Sequence, residues 1–317
     1  MKNEFLSTRL FPKNNGAEAY IVTGLAARCD WVILSDHKAP QVYLKYNNSG
    51  KSPDTIFLSL RNLRAVLPFF VEEVLPKLTQ PFVLISGSED VTLPNQIDKR
   101  WPALTSIERE LITTILKHVQ LSHWFVENLD DAISNKMTPI PVGMVYPDSQ
   151  PASVIEVSVP LLELRPLRVL CAHRVREGQQ WQLRKDVSQI AMHNWQHFAT
   201  VLTTEVTEAE FIDLVKQHSF VICAQGGGLD PCPKAWLALY YGAIPIIQTS
   251  ALEEAYRHLP VVQVDDWQPD TLTVEKLRKW QSDLRHHFDT TEGRASLLQK
   301  LTLDYWWQLV LSKVNAE

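Results

Sequence analysis

The sequence has no excess of basic residues: 31 lysines and arginines stand against 36 aspartates and glutamates, a formal net charge of -5. Proteins that bind nucleic acid usually carry a basic excess or stripe to neutralise phosphates, so no nucleic-acid partner is expected. No stretch is long and apolar enough to cross a bilayer, and residues 1–16, MKNEFLSTRLFPKNNG, lack the apolar core of a signal peptide. The expectation is a cytoplasmic protein without a transmembrane segment, with peripheral membrane association left open. Cysteine is scarce and scattered at Cys29, Cys171, Cys223 and Cys232, with no CxxC pair and no histidine at zinc-ligand spacing, which reads as reduced thiols. The acidic pairs Asp130-Asp131 and Asp265-Asp266 are read as surface turns. Neither a metal nor a cofactor is expected. Low-complexity tracts and repeats of fixed period are absent too.

What is present is a folded composition, 45% hydrophobic and 21% charged, in a chain of 317 residues that can build two cores. Apolar runs at 19–22, 31–34, 42–46, 55–58, 82–85 and 124–126 read as strands, and helical periodicity covers 63–78 and 106–118. Thr105 and Glu108 fit a capping box for the second of these helices. The Pro- and Ser-rich stretch 146–158 marks a domain boundary. Beyond it, strands at 168–171, 198–202, 220–224 and 244–247 alternate with helices, one of them opened by a second box at Thr207 and Glu210. Such alternation predicts two Rossmann-like, doubly wound α/β domains. Residues 1–150 form the first and 151–295 the second, and 296–317 form a terminal helix.

The most informative segment is 219–248, SFVICAQGGGLDPCPKAWLALYYGAIPIIQ. A strand, a glycine loop, a helix and a second strand follow in order. Asp230 can cap the helix, Pro231 and Pro233 suit its first turn, and Gly242 can end it. Gly226, Gly227 and Gly228 let backbone N–H groups approach an anion at a helix mouth. Lys234 would stand in the first turn, where a cation opposes the helix dipole unless an anion is bound. Neither GxGxxG nor GxxxxGK[ST] is matched.

From Lys234 onward, KAWLALYYGAIPII resembles the donor-binding signature of exostosin-type and fucosyltransferase-like glycosyltransferases. A basic residue opens the helix, an aromatic and an Ala-Leu pair follow, and a Gly-x-x-Pro turn leads into the next strand. Tyr256, the run 259–262 and Asp265-Asp266-Trp267 continue the likeness, which covers 168–270. Pro233 stands where fucosyltransferases often carry an acidic residue, so the resemblance does not name the donor sugar. It implies the GT-B fold, with a cleft between the domains and a terminal helix crossing back to the first. It also implies transfer from a nucleotide-sugar donor to a hydroxyl of a glycan or other acceptor.

Under that reading, Lys234, Arg174, His173, Asp230 and the loop Gly226, Gly227 and Gly228 bind the donor. The positive charge of Lys234 and Arg174 would make a metal ion redundant at the diphosphate. Arg176, Arg184 and Lys185 follow in the same basic cluster and could face the same cleft, but at least two of the three read as solvated helix residues. In the first domain, Glu89 and Asp90 are the candidate catalytic bases, and Asp36, His37, His123 and Asn128 the candidates for positioning the acceptor. Two alternatives share the fold: a non-catalytic nucleotide- or sugar-binding module, and an epimerase or phosphorylase.

Overall fold

The computed structural model describes residues 4–10, 17–36, 38–145, 153–155, 157–174, 177–178, 181–231 and 233–314. The chain divides into two compact units, Met1–Ser153 with Thr302–Glu317, and Val154–Leu301.

The first unit contains α1 (Gly24–Arg28), β1 (Trp31–Asp36), β2 (Ala39–Tyr46), β3 (Thr55–Ser59), α2 (Leu63–Phe69), β4 (Phe82–Gly87), α3 (Ser106–Lys117), β5 (Leu121–Val126) and β6 (Met137–Pro139). Its sheet runs β2-β1-β3-β4-β5-β6, parallel throughout except for the β1–β2 hairpin. Strands β1, β3 and β4 are buried at every position, as strands covered on both faces must be. Helix α3 opens on the expected box: Thr105 Oγ1 accepts from Glu108 N at 3.2 Å, and Glu108 Oε2 accepts from Thr105 N at 2.6 Å.

Two expectations for this unit are corrected. Residues 19–22 form no strand; Ala17–Ala19 is a 3-10 turn, after which Tyr20 donates its hydroxyl to Asp36 at 2.7 Å. The single helix over 63–78 breaks into α2, a π-turn at Phe70–Val74 and a 3-10 turn at Leu75–Lys77. Pro68 has no N–H to give to the preceding turn and its ring crowds that carbonyl, so the hydrogen-bond register slips.

The second unit contains β7 (Val169–Cys171), α4 (Gln182–His193), β8 (Ala199–Val201), α5 (Glu208–Gln217), β9 (Phe220–Ile222), α6 (Pro233–Tyr240), β10 (Ile244–Gln248), α7 (Glu253–Tyr256), β11 (Val262–Val264), α8 (Val274–Leu284), α9 (His286–Asp289) and α10 (Thr291–Lys300). Its sheet is wholly parallel in the order β11-β10-β9-β7-β8. Thr207 and Glu210 form the second capping box. Gly242, at φ 80°, ends α6 in the left-handed region.

The terminal helix expected over 296–317 is, among the described residues, the end of α10 and a separate helix. After α10, Leu301 O accepts from Trp236 Nε1 at 3.2 Å, Thr302 bridges Phe5, and Leu303 N donates to Glu4 O at 2.8 Å. These bonds interrupt the helix at Leu301 and Thr302 before α11 (Leu303–Val314), which belongs to the first unit and packs on β4 and β5.

Candidate functional site

In the second unit the strand order reverses between β7 and β9: β7 leads outward to β8, whereas β9 leads the other way to β10 and β11. The loops leaving those two strands must part, and the crevice at their carboxyl ends is where open α/β sheets bind ligands. Ala172, His173 and Arg174 follow β7, and the glycine loop follows β9. Beside them lies a cavity of about 770 Å³ whose walls include His173, Arg174, Trp181, Arg184 and Lys234.

Lys234 stands in the first turn of α6, and its Nζ donates to Ala172 O, just past the end of β7, at 3.1 Å. Its ammonium therefore spans the crevice.

Arg184 joins it from α4. Its Nε donates to Ala224 O, beyond β9, at 3.3 Å, and its guanidinium lies 5.1 Å from the Trp181 ring. The sequence puts this arginine among three basic residues of which at least two read as solvated; Arg184 itself is 9% exposed. Gly226 is the reason. A Cβ there would stand 2.4 Å from Cζ of Arg184, so the glycine admits the guanidinium. The signals in the sequence were the glycine and an aromatic residue one helical turn before the arginine.

His173 is buried, and its Nε2 has no hydrogen-bond partner among the described residues. Burial pushes its pKa well below the usual histidine value, and the charges of Lys234 and Arg184 push it further, so the ring is neutral at pH 7. Its Nδ1 lies 3.6 Å from Cys171 Sγ, a thiol that burial raises to about 11 and so keeps protonated.

Arg174 is different: it is exposed and pairs with Glu205 at 3.0 Å. Lys185 pairs with the exposed Glu177, as a solvated residue would. Asp230 is buried and accepts from Tyr256 at 2.8 Å, which ties the glycine loop to α7. Gly228 takes φ 63°, again the left-handed region.

In the first unit, the carboxyl ends of β4 and β5 carry an ionic network that the sequence reading found only in part. Asp90 pairs with Arg9 at 2.5 Å and also with Arg100. Burial raises its pKa, but the two guanidiniums outweigh that effect and hold it below the usual carboxylate value. Glu89 lies 3.9 Å from Arg61 and 4.0 Å from Arg9. The centre of the network is Glu127, absent from the candidates although Asn128 beside it was among them. Glu127 is fully buried. It accepts from Ser88 N at 2.7 Å and Thr8 Oγ1 at 2.5 Å, and pairs with Arg9 at 2.9 Å. Burial nevertheless pushes it up to about 7. A Cβ on Gly87 would meet Glu127 Oε2 at 2.6 Å, so a glycine again admits a charged group.

The acceptor candidates are not gathered at one place. Asn128 joins the network, donating to Glu89 O at 3.1 Å. Asp36 is held by Tyr20 and by Lys38 N at the end of β1. His123 lies within β5, bonded to Thr138 Oγ1 at 2.8 Å and packed on Phe125, a core position. His37 lies outside the described residues, as do Arg176 and Cys232.

No protein-family model matches the chain, and no curated protein matches it either. Solved structures similar to it include TarM, 8% identical over 83% of this chain and 55% of TarM, with a TM-score of 0.45. Another is the trehalose-6-phosphate protein from E. coli bound with UDP-2-fluoro glucose, 9% identical over 82% of this chain and 72% of its own, TM-score 0.47. A third is an α1,3-fucosyltransferase, 11% identical over 86% of this chain and 81% of its own, TM-score 0.37. These likenesses assign this chain no substrate. No helix among the described residues is long and apolar enough to cross a membrane.

Proposed function

We propose that the second unit binds the diphosphate of a nucleotide-sugar and that the chain is a glycosyltransferase acting on a hydroxyl of a glycan or other acceptor. The observation that carries this reading is the meeting of Lys234 and Arg184 across the switch point of a parallel sheet, beside a cavity of about 770 Å³. A nucleoside diphosphate leaving group gains charge in the transition state, and fixed cations stabilise that charge. Arg184 can also grip phosphate oxygens with two parallel bonds. Two cations supply what a divalent ion would otherwise provide, so transfer is expected to proceed without added metal. The base that takes the acceptor proton is assigned to the Glu89 and Asp90 loop, where the guanidiniums of Arg9 and Arg100 hold the Asp90 carboxyl below the usual carboxylate value. The resemblance of the segment from Lys234 onward to exostosin-type enzymes supports the same reading.

The test is incubation with a panel of nucleotide-sugars and oligosaccharide acceptors in EDTA, with assay of released nucleoside diphosphate. Release by the wild type, lost in Lys234→Ala, is expected. Interconversion of sugar isomers on the intact nucleotide, or dependence on free phosphate, would contradict transfer in favour of an epimerase or a phosphorylase.

A further inference from the structure

Strand β4 ends at Gly87, and the next residue, Ser88, holds left-handed backbone at φ 76°. A non-glycine residue keeps that conformation only where surrounding bonds over-determine it. Here one carboxylate supplies the central bond. Glu127 Oε2 accepts from Ser88 N at 2.7 Å and from Thr8 Oγ1 at 2.5 Å, while Ser88 Oγ accepts from Leu10 N at 2.9 Å. Glu89 and Asp90 follow this turn with side chains 13% and 22% exposed, open to a ligand, whereas the side chain of Glu127 is wholly enclosed.

The other oxygen of Glu127 reaches the same loop by a second route. Oε1 pairs with Arg9 Nη2 at 2.9 Å, and that nitrogen lies 2.5 Å from Asp90 Oδ1. Asn128 Nδ2 donates to Oε1 at 3.3 Å and to Glu89 O at 3.1 Å. Glu127 thus faces Arg9 and Thr8 from the N-terminal segment, Ser88 and Asp90 from the loop after β4, and Asn128 beside it. Four donors converge on its two oxygens. An ionised carboxylate has the lone pairs to meet all of them, whereas an amide or a protonated carboxyl gives up acceptor sites. Burying a charge merely to hold a turn costs more than burying a neutral acceptor. What the charge adds is the bond to Arg9, and through Arg9 the side chain of Asp90.

We propose that Glu127 is a positioning residue for the transfer reaction: through Ser88 N and through Arg9 it fixes the Glu89 and Asp90 loop, whose carboxylate takes the acceptor proton. This role rests on the transferase reading. Every group named in it belongs to the first unit, so nucleotide binding at Lys234 is expected to be independent of it.

Glu127→Gln, assayed with the nucleotide-sugar that the wild type turns over, tests it. Above the titration of Glu127, kcat should fall about tenfold or more while the donor KM stays unchanged. A lower folded fraction would also reduce kcat, so the pH profile decides. In the wild type kcat should rise as Glu127 ionises, around pH 7, and in Glu127→Gln that step should be missing. The amide proton of Ser88 in the wild type should move downfield over the same range, a readout that needs neither turnover nor a variant. An unchanged kcat, a raised donor KM, a pH profile shared by the two proteins, or a Ser88 amide that does not titrate would each overturn this role and leave the transferase reading standing. Absence of transfer by the wild type from every donor would overturn that reading, and this role with it.

Discussion

The guanidinium of Arg184 lies in the space that a side chain on Gly226 would fill, with Cζ 2.4 Å from the position of the missing Cβ. The glycine of the loop after β9 thus serves the arginine of α4 directly. Gly226→Ala should push the guanidinium out of the crevice and weaken nucleotide binding at least tenfold, while overpacking lowers stability by about 1–3 kcal/mol. Melting curves with and without nucleotide separate the two effects. A variant that keeps its full ligand-induced shift would show that Arg184 does not touch the ligand.

Arg165 is the structural counterpart of Arg184. It is 5% exposed and donates to the carbonyls of Pro160, Val215, His218 and Tyr241, at distances from 2.9 to 3.3 Å. Burial pushes its pKa down to about 10, still charged at neutral pH. Arg165→Met removes the guanidinium donors from those carbonyls, of which Val215 O keeps only the bond from His218 N, and chemical denaturation should show a loss of about 3 kcal/mol or more. A loss below about 1 kcal/mol would contradict the role.

Glu127 and His123 give the first unit opposing pH dependences. The folded pKa of Glu127 is about 7 against an ordinary 4.5, so between those values the folded chain holds more protons than the unfolded one. Its contribution to stability therefore falls as pH rises through that window. His123 behaves in the opposite way. Burial, with Lys313 adding to it, pushes the ring to about 4 from 6.5, so stability is lost as pH falls from 6.5 toward 4. Glu127→Gln should leave the His123 slope alone and make the protein more acid-sensitive below about pH 6.5. In His123→Gln, stability should instead rise as pH falls from about 7 to 5. Each effect amounts to about 3 kcal/mol at most, at 1.36 kcal/mol per pKa unit. Identical pH slopes in the three proteins would contradict both assignments.

Local signals were legible where they were sufficient to fix structure. The apolar runs of β1, β3, β4, β9 and β10 and the boxes at Thr105 and Thr207 act within a few residues, and each forms where the sequence places it. Long-range partners were not legible. Nothing near Leu301 announces that its carbonyl will meet Trp236 or that Thr302 will bridge Phe5, and so the break before α11 is missed. The same holds for the charged groups: Arg9 reaches Glu127 across more than a hundred residues, and Arg184 is buried only because a glycine about forty residues later makes room.

Thermal melting of the wild type and Lys234→Ala with UDP, GDP, CMP and dTDP, in EDTA, tests the central claim most directly. A ligand at about one hundred times its Kd stabilises the state that binds it by about 2.7 kcal/mol. The account predicts that at least one nucleotide raises the melting temperature of the wild type by several degrees and that the shift is lost in Lys234→Ala. No shift with any of them, or an equal shift in both proteins, would contradict a diphosphate site at Lys234.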